Sequence, residues 1–219
     1  MNYEDILNSD YFKETYSKIE KIKKDYPVNH GFTHIQNVIK NALRIAEVFG
    51  LNNKEKELLL IACTLHDIGY IDSRDNHALN GAILAREYLK NNKFSNEDIN
   101  VICDAIRNHG GKKAEDFIDV ISMCLVIADK LDFVSSRYNK SMLEYPKRAI
   151  FPNILDTLIE LSDNNMILKI IVNNEFSVSL FEEQNYFVKL NDFMKLLAKK
   201  LDTSYKIKYS ICMHQNCIE

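Results

Sequence analysis

Residues 58–67 read LLLIACTLHD: a segment apolar on nearly every side of a helix, closed by His66 and Asp67. A helix that is hydrophobic all round belongs at the centre of a core, so residues 53 to 67 are expected to form a buried helix. Its last residue is the anomaly. Burying a carboxylate without a counter-charge is costly, yet Asp67 ends the most apolar stretch of the chain. A divalent cation would supply the missing charge.

The flanking sequence is helical on both sides. In THIQNVIKNALRIAEVFG (33–50), Ile35, Val38, Ile39, Ala42, Ala46 and Phe49 share one face, with Thr33 as the expected N-cap and Gly50 as the stop. Residues 4 to 25 alternate charged and apolar groups at helical spacing and end before Pro27. Downstream, a helix over 76–90 carries Ala78, Ile83, Leu84 and Leu89. Ser95 with Asp98 resembles a capping box, opening a helix that stops near His109-Gly110-Gly111. A further apolar helix over 114–134 contains Asp129. These segments predict a bundle of helices with short loops.

The last third has a different character. MILKIIV (166–172) is rich in β-branched residues and is followed by Asn173-Asn174-Glu175 and FSVSLF (176–181), a pattern that reads as a β-hairpin. A helix over 184–201 and an alternating strand, TSYKIKYSI (203–211), complete the chain. The expected fold is therefore mainly α: a helical bundle over residues 1–150 and a small α+β appendage over 151–219, built of hairpin, helix and strand.

Composition narrows the function. The 219 residues are 46% hydrophobic and 27% charged, ordinary globular usage. A formal charge of -3 lacks the basic excess of a surface for duplex nucleic acid. It is compatible with a small anionic substrate, because a bound metal reverses the local field. The start, MNYEDILNSDYFKETY, is acidic and polar rather than a secretory signal, and no run of about 18 apolar residues exists to span a membrane. Of the five cysteines (Cys63, Cys103, Cys124, Cys212, Cys217), three lie in apolar helical patterns, which suits a reducing cytoplasm.

Five of the six histidines fall between 30 and 109. His34 starts one predicted helix, His66 and Asp67 end the next, and His109 ends another. Antiparallel packing brings such ends together, and N and O ligands of this kind suit Zn, Fe, Mn or Ni. A single helix-end histidine is usually a cap that favours the helix dipole, and a His-Asp dipeptide alone is a weak motif. Four helix-associated histidines with Asp67 and Asp129 embedded in apolar helices are a stronger pattern.

The order of these residues resembles the HD superfamily of metal-dependent phosphohydrolases, whose signature is a His, then a His-Asp pair, then a later Asp. His66-Asp67-Ile68-Gly69 reads HDIG, HGFTHIQNVIKNALRIAE resembles the family's first helix, and IADKLDF resembles the stretch supplying the closing Asp. The likeness spans residues 28 to 135. It implies a four-ligand core of His34, His66, Asp67 and Asp129. HALNGAILAREYL and IRNHGG resemble the segments that add a second metal, on His77 and His109, with Asp67 bridging both ions. The implied cofactor is thus a pair of divalent ions among Fe, Mn, Ni, Co, Zn and Mg; the alternative is a single ion, with His77 and His109 contacting substrate.

The implied reaction is hydrolysis of a nucleotide-like phosphomonoester or phosphodiester by a metal-activated water, with His66, Asp67 and Lys130 as catalytic residues. Lys130, Arg137, Lys112 and Lys113 are the candidate cations for the remaining phosphate, and a homo-oligomer is compatible with this reading. Asp132 is expected at a helix end or behind a ligand, His30 in a plain loop role, and Arg86 on the surface. Cys212, His214 and Cys217 form an incidental tail cluster. Two departures narrow the subfamily. Tyr70 stands where the HD-GYP cyclic-dinucleotide phosphodiesterases have Lys, and IGYID lacks the Glu-Asp pair of guanosine-tetraphosphate hydrolases. A diiron oxygenase of the HD type and a non-catalytic metabolite sensor are the alternative readings.

Overall fold

Asn52 shows why the central helix begins where it does. Its side chain accepts hydrogen bonds from the backbone of Lys54 and Glu55, and the Glu55 carboxylate accepts from the Asn52 backbone in return, a complete capping box. The helix it starts, α4 (Asn53–Leu65), buries every residue from Leu58 to Leu65. The structure is a computed structural model that describes all residues except 24, 25, 27, 73, 111–118, 140–149, 164, 183–185, 201–205, 214, 215, 218 and 219.

Around α4 lie α1 (Tyr3–Asn8), α2 (Asp10–Lys23), α3 (Phe32–Val48), α5 (His77–Asn91), α6 (Asn96–Asn108) and α7 (Val120–Leu131). A 3-10 turn, Ile68–Ile71, follows the His66-Asp67 pair and packs against α5. Helix α3 turns Ile35, Val38, Ile39, Ala42, Ile45 and Ala46 inward, the stripe its periodicity predicts. Its N-cap is Gly31 rather than Thr33, and the chain leaves it through Gly50, whose φ of +63° is the left-handed conformation of a helix stop.

Half of the capping box expected at Ser95 is present: its hydroxyl accepts from the Asp98 backbone, while the Asp98 carboxylate reaches Lys54 Nζ at 2.6 Å. Helix α7 opens at Asp119, which caps Ser122, and is buried on nearly every side. The expected start of this helix at 114 lies outside the described residues.

The C-terminal third contains β1 (Ile154–Ser162), β2 (Asn165–Val172), α8 (Val178–Glu182), α9 (Tyr186–Lys200), β3 (Lys206–Met213) and the two-residue β4 (Asn216–Cys217). The sheet order is β1-β2-β3-β4: β1 and β2 are an antiparallel hairpin, and β3 lies parallel to β2 after the α8–α9 crossover. The hairpin therefore precedes Asn173 instead of following it. FSVSLF does not return as a strand; Val178 to Phe181 belong to α8.

These elements are not detached from the bundle. Leu190, Phe193, Met194 and Leu197 of α9 are buried and α9 packs on α7, joining one continuous hydrophobic core. Strand β1 packs on α3, where Arg44 and Lys40 both bind the Asp156 carboxylate, and Thr157 Oγ1 donates to the Leu131 carbonyl at 2.6 Å. Among the described residues no helix is long and apolar enough to cross a membrane.

Candidate metal centre

The ends of five bundle helices converge. His34 comes from the first turn of α3, His66 and Asp67 from the end of α4, His77 from the start of α5, His109 from the end of α6, and Asp129 from the last turn of α7. His34, His66, Asp67 and His109 are buried, between 0% and 3% exposed.

The arrangement divides about Asp67. Its Oδ2 lies 3.3 Å from His34 Nε2 and 3.3 Å from His66 Nε2; those two nitrogens are 3.2 Å apart, and Asp129 Oδ1 is 3.3 Å from His34 Nε2. Its other oxygen, Oδ1, lies 3.4 Å from His109 Nε2 and 3.9 Å from His77 Nε2, and these nitrogens are 3.1 Å apart. One carboxylate thus faces two pairs of imidazoles, one on each oxygen.

The far side of each ring decides what the near side offers. His66 Nδ1 meets the Cys63 carbonyl at 2.8 Å, His77 Nδ1 that of Arg74 at 2.7 Å, and His109 Nδ1 that of Ile106 at 2.6 Å. In every case the carbonyl lies three residues earlier. A carbonyl only accepts, so each Nδ1 carries the hydrogen and each Nε2 presents its lone pair inward. His34 Nδ1 is held likewise by Asp132 Oδ2 at 2.6 Å, and Asp132 is fixed in turn by Asn37 at 2.8 Å. With His34 deprotonated, the four imidazole lone pairs and the carboxylate oxygens form a donor set for a divalent cation. The carboxylate–histidine pair behind His34 is the usual support for a metal-binding imidazole.

Electrostatics agree. Burial pushes the Asp67 carboxyl up, but the neighbouring imidazoles of His66, His109 and His30 outweigh it and hold the pKa well below the ordinary range. Asp129 is likewise penalised by burial and held low by Arg137, His34 and Lys130. Burial and Arg137 push His34 down, yet hydrogen bonds to Asp129, Asp132 and Asp67 raise it to about 10. Three carboxylates therefore draw a positive charge onto His34, the place a metal ion would supply one.

The other candidate residues lie as follows. Arg137 Nη1 bonds to Asp129 Oδ1 at 3.2 Å and to the Asp129 and Asp132 carbonyls, so its charge is directed at the Asp129 carboxylate and the end of α7. The Lys130 ammonium sits 5.5 Å from the centre of the Phe193 ring, on the α9 side. Lys112, Lys113 and His214 lie outside the described residues. Arg86 pairs with Asn100 on the surface.

His30, expected in a plain loop role, instead joins the cluster: its Nδ1 is 2.9 Å from Asp67 Oδ2. Burial lowers its pKa to about 4 despite that contact. Tyr70 also belongs here, stacked on His30 and on His77. The sequence signal for His30 was its place four residues before His34. For Tyr70 it was only its place directly after HDIG.

A helical bundle whose helix ends gather histidines and aspartates into a donor set of this kind defines a metal-binding domain. Residues 31–134 match the HD domain family model, and this stretch of the chain is an HD domain. HD domains bind divalent metals, and the family consists in general of metal-dependent phosphohydrolases. The chain is also similar to an uncharacterized protein of Clostridium beijerinckii, 29% identical over 126 residues that cover 55% of this chain and 74% of the relative. A solved structure from an uncultured Thermotogales bacterium, described as a predicted HD superfamily hydrolase, is 22% identical with a TM-score of 0.44. That comparison covers 64% of this chain and 86% of that one.

Proposed function

We propose that this protein hydrolyses a phosphomonoester or phosphodiester of a nucleotide-like small molecule with two divalent ions. The observation that carries the reading is the division about Asp67: inward-facing Nε2 atoms of His34 and His66 on its Oδ2, and those of His77 and His109 on its Oδ1. His34, His66, Asp67 and Asp129 would hold one ion, and His77, His109 and Asp67 would hold the other. When bound, such ions would supply an activated water near neutral pH and polarise a phosphoryl oxygen.

The chain's own groups prepare that chemistry. Asp132 and the carbonyls of Cys63, Arg74 and Ile106 fix the imidazole planes. Arg137 balances the charge of Asp129. Lys130, with Lys112 and Lys113, is the source of positive charge for the rest of the phosphate, since phosphoryl transfer needs chiefly positioning and charge neutralisation.

The test is a panel of phosphomonoesters and phosphodiesters assayed with Mn, Ni, Co, Mg and Fe, on wild-type protein and on His66→Ala and Asp67→Ala. Metal-dependent hydrolysis by wild type, followed as inorganic phosphate from monoesters and as the product monoester from diesters, and reduced at least 1000-fold in both variants, is expected for loss of ligands that hold the reacting centre. Iron-dependent oxygen consumption without hydrolysis of any monoester or diester would overturn the reading in favour of an oxygenase.

A further inference from the structure

The five imidazoles in the centre are not equally confined. His34, His66 and His109 side chains are 0%, 0% and 3% exposed, so the core surrounds them. His77 and His30 are the open ones, at 19% and 14%. His77 stands at the first position of α5, and His30 precedes α3, where no helix confines it.

The ring of Tyr70 lies between these two. Its centroid is 4.2 Å from that of His30 at an interplanar angle of 26°, and 4.2 Å from that of His77 at 29°. Tyr70 itself is only 5% exposed. Its backbone N–H donates to the Asp67 carbonyl at 3.0 Å, so the turn that ends α4 places the shared carboxylate and the aromatic ring together. A planar ring stacked at this separation resists rotation of its neighbours, which an aliphatic side chain of similar volume does not.

We infer that Tyr70 is a positioning residue of the metal centre: its ring, clamped between His30 and His77, sets the plane of His77 and so determines uptake of the second ion. The inference rests on the two-ion reading above. From one face the ring keeps His77 Nε2 directed at His109 and Asp67 Oδ1. From the other it keeps His30 against Asp67 Oδ2, which steadies the carboxylate common to both donor sets. The first donor set, built on fully buried His34 and His66, depends on it less, sharing only the Asp67 carboxylate with it.

The experiment is Mn(II) binding by calorimetry, with elemental analysis after desalting, on wild type, Tyr70→Phe, Tyr70→Leu and Tyr70→Met, each checked for folding by circular dichroism. Wild type and Tyr70→Phe should take up two ions with equal affinities. Tyr70→Leu and Tyr70→Met should keep the first ion and lose 10- to 100-fold in affinity for the second, the usual effect of removing a group that orients a ligand. Two-ion binding at wild-type affinity in a folded Leu or Met variant overturns the inference, as does a Tyr70→Phe protein that falls with them.

A metal-free measurement separates this from the two-ion reading. Long-range proton–nitrogen spectra of the histidine rings should show a single Nδ1–H tautomer for His77 in wild type and averaging in Tyr70→Leu. Unchanged His77 signals refute the stacking role. Wild-type protein that binds one ion refutes the two-ion reading, and the inference about the second ion with it.

Discussion

At the scale of single residues, His34 concentrates the physics of the site. Its pKa of about 10 in the folded, metal-free chain exceeds the 6.5 of a free imidazole. The folded state therefore binds this proton more tightly, and the resulting stability is fully present below pH 6.5 and lost as pH rises through 10. Metal binding requires that proton to leave, so between these limits affinity for the first ion should rise about tenfold per pH unit. The gain in Tm on adding Mn should then be larger at pH 8.5 than at pH 6.5, measured by thermal denaturation with and without metal. An equal or smaller gain contradicts the assignment. Behind His34, Asp132→Ala should weaken that ion by 10- to 100-fold, read by calorimetry, because the imidazole loses its only carboxylate support at Nδ1. The sequence made His34, His66, Asp67, His109 and Asp129 conspicuous because polar groups interrupt apolar helices there. His30 and Tyr70 carried no such signal: a loop histidine and a tyrosine beside a turn acquire their roles only when distant elements meet.

At the scale of elements, the 3-10 turn after Asp67 fixes how closely α5 approaches the centre. A methyl group on Gly69 would collide with the His77 carbonyl and the Gly81 backbone nitrogen. Gly69→Ala should therefore cost about 1–3 kcal/mol, measured by urea denaturation, and displace His77 enough to weaken the second ion. The bundle helices were legible because their apolar residues repeat over many turns. The hairpin was misplaced for a physical reason: FSVSLF alternates like a strand, and a short alternating run satisfies either structure until tertiary pairing decides. Here β2 pairs back onto ILDTLIELS, whose Asp156 and Glu160 interrupt the apolar pattern but are occupied by Lys40 with Arg44 and by Lys169. Thr33 lost the N-cap position of α3 to Gly31, a shift of two residues that leaves the inward face intact.

At the scale of the whole molecule, the bundle and the C-terminal elements share one core. We propose that the division near residue 150 separates two kinds of secondary structure rather than two independent folding units. Phe193, 2% exposed and lying under Lys130, joins α9 to α7, the helix that carries Asp129. Phe193→Ala should cost about 3–5 kcal/mol, measured by denaturant unfolding, in one transition that includes the bundle. Separate transitions for the bundle and the sheet would contradict the shared core.

The central claim is that the cluster around Asp67 is a divalent-metal centre, and elemental analysis tests it most directly. Wild-type protein and Asp67→Ala would each be loaded with excess Mn, desalted and measured for metal per chain, with circular dichroism to establish folding. Asp67 faces both pairs of imidazoles, so wild type should retain close to two ions and the folded variant close to none. Full metal content in folded Asp67→Ala would contradict the account.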